Sequence, residues 1–243
     1  MQHRAVDIVI PLGSGSRYNN FELRMALRSI SRYAMNIRHI YIVSAALPGW
    51  LCNVKTLNIA DCCKHNKDAN IINKVLAAAA LPELSEKFIF WSDDQLALHQ
   101  FDAANLPVSC NLRKYEHFNS EKIWHRRMRN TFEFLQKNNI KLDCNFDSHL
   151  PMPMYKKQFC KIMQKVNYHR QPGYCINTLY CGMSGIKGGI PQNQIKYTAE
   201  TATDLKELPK DKLFIGYNDE AMKSNLPQLL QEHFREKCKY ERV

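Results

Sequence analysis

The sequence predicts an α/β protein built on a mostly parallel sheet with helices on both faces. Two observations carry that reading. Short apolar runs rich in β-branched and aromatic residues alternate with longer segments of helical periodicity through the first half of the chain. In addition, the continuous apolar run Phe88-Ile89-Phe90-Trp91 has the character of a strand buried on both faces, and it stops abruptly at Ser92-Asp93-Asp94. Open α/β sheets bind ligands beyond the carboxyl ends of their strands, so Asp93 and Asp94 fall where a site belongs.

The elements follow in order. Val6 to Pro11 reads as the first strand, ended by Pro11 and the small-residue loop Gly13-Ser14-Gly15-Ser16, along which a backbone can approach a ligand closely. Leu23, Ala26, Leu27, Ile30 and Ala34 form one stripe of a helix and leave Arg24, Arg28 and Arg32 off it. Ile40 to Val43 is a second strand and Val54 to Ile59 a third. Asn66 to Leu81 is a helix with Ile71, Ile72, Val75, Leu76 and Ala79 inward. Near its N-terminus Lys67, Asn70 and Lys74 share a face that suits phosphate, although taken alone it reads first as a solvated surface.

Beyond the Asp-Asp strand the pattern loosens. Ser120 to Gln136 reads as a helix and so does Met154 to Val166, whereas residues 171–198 are rich in Gly, Pro, Gln and Asn and show no clear period. A tract that long is expected to be functional or lid-like. Leu213-Phe214-Ile215-Gly216 is a last strand, followed by Tyr217-Asn218-Asp219 and a helix to about Phe234.

Composition narrows the class. A chain of 243 residues with 45% hydrophobic and 23% charged residues can bury one sizeable core and is expected to be a single domain. No apolar run approaches the roughly 18 to 20 residues that span a bilayer, and the polar start leads straight into a strand, so a soluble, cytoplasmic protein is expected. The nine cysteines are odd in number and contain no C-x-x-C pair, which argues against a zinc ribbon and reads as free thiols in a reducing compartment. On this reading the adjacent Cys62 and Cys63 are incidental.

A formal charge of +11 makes polyanionic partners plausible: nucleotide phosphates, acidic glycans, anionic lipid or nucleic acid. The densest basic stretch is Trp124-His125-Arg126-Arg127-Met128-Arg129. There Trp124, Met128, Phe132 and Leu135 recur at helical spacing, and Arg126, Arg127 and Arg129 point elsewhere, either to water or to a polyanionic acceptor. The Asp93-Asp94 pair suits a hard divalent cation such as Mn²⁺ or Mg²⁺, which takes one or two carboxylates and completes its shell with substrate phosphates and water. A turn cap is the competing reading.

Glu22-Leu23-Arg24-Met25-Ala26-Leu27-Arg28-Ser29-Ile30, Arg38-His39-Ile40-Tyr41-Ile42-Val43, Pro48-Gly49-Trp50-Leu51 and Pro82-Glu83-Leu84-Ser85-Glu86-Lys87-Phe88-Ile89-Phe90 run into Ser92-Asp93-Asp94. Over roughly residues 20 to 96 this resembles the second conserved region of the Stealth-type transferases, which usually show Asn-Asp-Asp at the last position. His149-Leu150-Pro151-Met152-Pro153 is similar to the family's third region, His169-Arg170 falls where a downstream His or Arg is expected, and Tyr217-Asn218-Asp219 is similar to the fourth. The first region departs: the family ends its first strand in an acidic Trp-Val-Asp-Gly type sequence, and this chain has Pro11-Leu12-Gly13-Ser14, with Asp7 as the nearest acid.

The resemblance implies a GT-A-like, Rossmann-related fold with an irregular acceptor-side segment, residues 1–110 forming a nucleotide-sugar half and 111–243 an acceptor half. It implies a transferase of polysaccharide biosynthesis using a nucleotide-sugar donor, with a UDP-sugar favoured, and a carbohydrate acceptor. Asp93 and Asp94 would hold the metal, with Asp94 also counted in the catalytic set. Gly13, Ser14, Arg24, Arg28, Lys67, Asn70 and Arg170 would contact the donor, and His149 or Asp219 would act as base, with Glu22 a further candidate. Because the first-strand acid is missing, glycosyl transfer is preferred over the family's sugar-1-phosphate transfer. A glycosyltransferase acting on a hydroxylated DNA base and a non-enzymatic nucleic-acid-binding module remain as alternatives that use the basic charge.

Overall fold

The computed structural model describes residues 5–13, 16–191, 194–203 and 205–242. Along the chain run β1 (Val6–Pro11), α1 (Phe21–Tyr33), β2 (Ala34–Met35), β3 (Ile37–Val43), β4 (Lys55–Leu57) and α2 (Lys67–Ala79). Then come β5 (Lys87–Phe90), β6 (Gln95–Ala97), β7 (Phe101–Asp102), β8 (Ser109–Cys110) and α3 (Ile123–Lys137). The remainder is β9 (Met152–Tyr155), α4 (Lys156–Met163), α5 (Ile176–Met183), β10 (Ile190–Pro191), β11 (Gln194–Tyr197), β12 (Phe214–Tyr217) and α6 (Leu226–His233).

The central sheet has the order β4-β3-β1-β5-β9. β1 pairs in parallel with β3 and β5, β3 in parallel with β4, and β9 runs antiparallel along β5. Every residue of β1 is buried, as a central strand with both faces covered requires. On one face Val9, Tyr41, Val43, Phe88 and Phe90 pack with Ile72 and Val75 of α2 and with Leu179 and Tyr180 of α5. On the other, Ile8, Ile10, Ile42 and Ile89 pack with Leu23, Leu27 and Ile30 of α1. A second sheet, β11-β12-β6, places β12 antiparallel to β6 just after the end of β5.

Two expectations are corrected. Residues 154 and 155 belong to β9 and not to a helix, since Met154 pairs with Phe88 and Met152 with Phe90; the edge position tolerates Pro153, which lacks a donor. The helical period is genuine only from α4 onward, where Phe159, Ile162 and Met163 are buried. The tract 171–198 holds a buried helix, α5, together with β10 and β11. Ile176 through Gly182 are all buried, so α5 has no polar face to create a period. Gly182 is there because a Cβ would lie 2.8 Å from the Leu135 side chain of α3.

Candidate functional site

The carboxylate turn is built from beneath. Trp91, fully buried, donates its backbone N–H to Val9 and its indole N–H to the Gln95 carbonyl at 2.9 Å. Its ring packs against Phe101 and Phe214 at centroid distances of 5.8 and 5.9 Å, and those two meet at 5.1 Å. Such aromatic pairs add about 0.5–1.5 kcal/mol each beyond the area they bury. The Gln95 N–H donates to the Ser92 carbonyl and the Ser92 N–H to Gln95 Oε1, both at 3.2 Å. Asp93 and Asp94 therefore form the tip of a closed turn on a rigid base, at the carboxyl edge of the sheet where the sequence places them.

Across the turn stands His149. Its Nε2 lies 3.1 Å from Asp94 Oδ2 and its Nδ1 3.4 Å from Lys196 Nζ. An ammonium can only donate, so Nδ1 accepts and the neutral ring carries its proton on Nε2, which stands at ion-pair distance from Asp94 without completing a hydrogen bond. The residue sits at φ 55°, in the left-handed region, and its ring lies over Gly216 of β12, where a Cβ would come within 2.2 Å of the imidazole. The glycine thus keeps open the space the histidine occupies.

The two carboxyls titrate apart. Burial would raise both. His149, then Lys196, hold Asp94 below its ordinary value, whereas burial and the neighbouring charges of Asp94, Glu22 and Asp219 push Asp93 up to about 7. Two like charges on adjacent residues cannot both ionise cheaply without a cation. Buried atoms without a hydrogen-bond partner also point to a missing one: Asp94 Oδ1 and the Tyr217 hydroxyl, whose ionisation burial, Asp94, Glu22 and Asp93 oppose strongly. The oxygen donors of two carboxylates and a phenol fit a hard divalent ion such as Mn²⁺ or Mg²⁺. Asp93, Asp94 and His149 do not bring three ligand atoms within 4.8 Å of one another, as another cluster described below does. A cation there requires further ligands, and a diphosphate supplies them.

Glu22 accepts from Ser16 Oγ at 3.1 Å at the start of α1, and its charge is felt at Asp93. Asp219 is exposed just past β12, and Asn218, not Asp219, caps the following turn through its Oδ1 and the Ala221 N–H. Gly13 is exposed at the end of β1; Ser14 lies outside the described residues. Lys67 and Arg170 are both exposed, near each other through the α2 N-cap Asn66, whose side-chain amide donates to the Arg170 carbonyl. Asn70 is committed to the main chain of Cys63, accepting from its N–H and donating to its carbonyl, both at 2.8 Å.

Several assignments need correction. Arg28 is buried and clasps Glu241 at 2.6 and 2.9 Å while donating to the Phe234 carbonyl, so it has no group left for a donor phosphate. Arg24 reaches the same carboxylate at 3.1 Å and lies 4.5 Å over the Trp50 ring. The pair fastens the C-terminal tail, and Glu241, over 200 residues away in sequence, gave no signal. Arg127 pairs with Asp68 at 2.8 Å and donates to the Pro172 carbonyl; Arg129 binds the Phe118 and Ser120 carbonyls and Glu121. Of the three basic-helix arginines, Arg126 alone is exposed. His149, expected as a base, has its Nδ1 taken by Lys196 and its Nε2 3.1 Å from Asp94 Oδ2.

Sequence reasoning missed Lys196 and Tyr217, which come from β11 and β12, and Asp147, whose Oδ2 accepts from Thr178 Oγ1 at 2.5 Å. The one local signal was the Asp-Ser-His spacing of Asp147 and His149.

No family model matches the chain, and no curated protein does. Among solved structures it superposes on WbbM, a bifunctional glycosyltransferase in its apo form, with a TM-score of 0.57 and 14% identity over 96% of this chain and 50% of that one. It also superposes on an active-site mutant of LgtC with a TM-score of 0.51 and 11% identity, over 94% of this chain and 95% of that one. The chain spans half the length of the WbbM chain. The fold is GT-A-like, with a mostly parallel central sheet flanked by helices. Among the described residues no helix is long and apolar enough to cross a membrane.

Proposed function

We propose that this chain is a nucleotide-sugar-dependent glycosyltransferase, with residues 1–110 contributing chiefly to the donor side and 111–243 to the acceptor side. The observation that carries the reading is the Asp93-Asp94 turn, set at the carboxyl edge of a GT-A-like sheet with one carboxyl paired to His149 and the other raised by uncompensated charge. Asp93 and Asp94 would hold a divalent metal, whose chemistry would be to neutralise the leaving diphosphate. Lys67, Arg170 and the Gly13 backbone would contact the donor. Asp219, exposed and within the field of the turn, is better placed than His149 to take the acceptor proton. A UDP-sugar donor and a carbohydrate acceptor suit this arrangement.

Sugar-1-phosphate transfer is the second reading, supported by the Stealth-type residues. It is disfavoured by Asp7, which lies at the opposite end of β1 and is consumed by Arg38 and the Ser85 N–H. A DNA acceptor loses support because Arg127 and Arg129 serve internal bonds. Incubation with a panel of nucleotide sugars and hydroxyl acceptors, followed by chromatography of the nucleotides, separates the two chemistries. Glycosyl transfer yields an acceptor-dependent nucleoside diphosphate; a clean monophosphate peak would establish the rival.

A further inference from the structure

Cys62, Cys63 and His169 converge although more than 100 residues separate the thiols from the imidazole. Their ligand atoms all lie within 4.8 Å of one another. Cys62 Sγ and Cys63 Sγ are 3.8 Å apart, and His169 Nδ1 is 3.9 Å from the first and 3.4 Å from the second. A tetrahedral zinc ion with bonds of about 2.3 Å to sulfur and about 2.0 Å to nitrogen sets its ligands about 3.8 Å apart for S and S and about 3.5 Å for S and N. The S–S and one S–N separation stand at those values, and the other S–N separation, 3.9 Å, is slightly longer.

The surroundings hold them there. Asn70 clamps the Cys63 main chain through two hydrogen bonds, and its Oδ1 also lies 3.4 Å from Cys62 Sγ. The His169 ring is tilted against Tyr168 at a centroid distance of 4.2 Å. Asn66 Nδ2 faces the carbonyls of Tyr168, His169 and Arg170 at 3.2 to 3.3 Å, fixing that loop against the start of α2. Cys62 and His169 are exposed, so an ion can enter and water can complete its shell. Two thiolates and an imidazole select a soft or borderline cation, which Mg²⁺ is not.

We propose that Cys62, Cys63 and His169 form a zinc site that fastens the 167–173 loop, and with it Arg170, to the segment that leads into α2. The site shares no residue with the carboxylate turn. Binding replaces the ligand protons by the ion, so affinity falls as pH falls.

The test uses the full chain, without an affinity tag and under reducing conditions, titrated with Co²⁺ and then Zn²⁺. The expected result is a thiolate-to-cobalt charge-transfer band that saturates at a single equivalent and is bleached by Zn²⁺. Cys63→Ser and His169→Ala should each weaken Co²⁺ binding by about tenfold or more, while Cys160→Ser, a thiol elsewhere, and Asp93→Asn leave the band unchanged. Zn²⁺ should also slow tryptic cleavage after Arg170 in the wild-type chain and not in Cys63→Ser. Far-UV circular dichroism identifies any variant that fails to fold, and Cys62→Ser, at an exposed position, provides a further thiol variant. Absence of the band from the wild-type chain, its survival in Cys63→Ser, or cleavage indifferent to zinc would overturn the assignment.

Discussion

The two ends of the central sheet each carry acid, fully buried at one and half-buried at the other, and they treat it in opposite ways. At the amino edge Asp7 accepts from the Arg38 guanidinium, from the His39 N–H at 3.1 Å and from the Ser85 N–H at 2.7 Å. Burial would raise its pKa, yet these donors hold it below the ordinary carboxylate range. At the carboxyl edge Asp93 is pushed up to about 7 by burial and by three further acids, and Asp94 keeps one buried oxygen without a partner. A structural carboxylate is surrounded by donors. A carboxylate held among other acids is arranged for a cation that arrives from outside.

The comparison breaks most visibly in activity. Asp94→Ala should lower turnover by about a thousandfold at saturating Mn²⁺, the scale of losing a main electrostatic contact to a leaving group, while the melting temperature stays near wild type. Asp7→Ala should do the reverse. With three donors left facing a buried gap it should cost about 2–4 kcal/mol in denaturant unfolding, and activity per folded molecule should be unchanged. Were Asp7→Ala stable and inactive, the assignment of the two ends would be inverted.

A smaller effect follows from the titration of Asp93. Its folded pKa is about 7 against an ordinary 3.8, so between those values the folded state holds a proton that the unfolded chain releases. The contribution of Asp93 to stability in the absence of metal is therefore fullest below about pH 4, declines as pH rises, and is gone above about pH 7. The decline should amount to about 1–2 kcal/mol once the partial exposure and the coupling to Asp94 are allowed for. Equilibrium unfolding from pH 5 to 8 should show it in the wild-type chain with chelator present, and Asp93→Asn should reduce it, leaving the share of Asp68, which burial also pushes up to about 7.

The least effect is expected on the basic helix. Replacing Arg127 and Arg129 by Ala should cost about 1 kcal/mol each in stability, through lost carbonyl and carboxylate bonds. The salt dependence of any DNA binding should not change. A clear flattening of that dependence would restore the polyanion reading.

What the sequence made legible follows from the kinds of interaction involved. β5 and its Asp-Asp end were readable because a doubly covered strand must be apolar throughout, and its sudden end is a local event. The stripes of α1, α2 and α3 were readable for the same reason: Ile72, Val75, Met128 and Leu135 face one core each. β9 was not, because its pairing with β5 is set by partners some 65 residues away and overrides a local helical pattern. α5 was hidden by being buried all round. At the site, His149 and Asp94 were both singled out from the sequence but Lys196 was not, since it reaches the imidazole from a strand whose position depends on β12. Arg28 misled because an arginine one turn from a ligand site looks the same in sequence whether it faces a phosphate or Glu241.

The central claim is that the Asp93-Asp94 turn is a metal-diphosphate site, and calorimetric titration with Mn²⁺ tests it most directly. Because the turn alone supplies too few converging ligands, Mn²⁺ should bind at least about tenfold more tightly when UDP is present than when it is absent, and Asp93→Asn should abolish that gain. UDP binding indifferent both to Mn²⁺ and to the Asp93→Asn substitution would contradict the account.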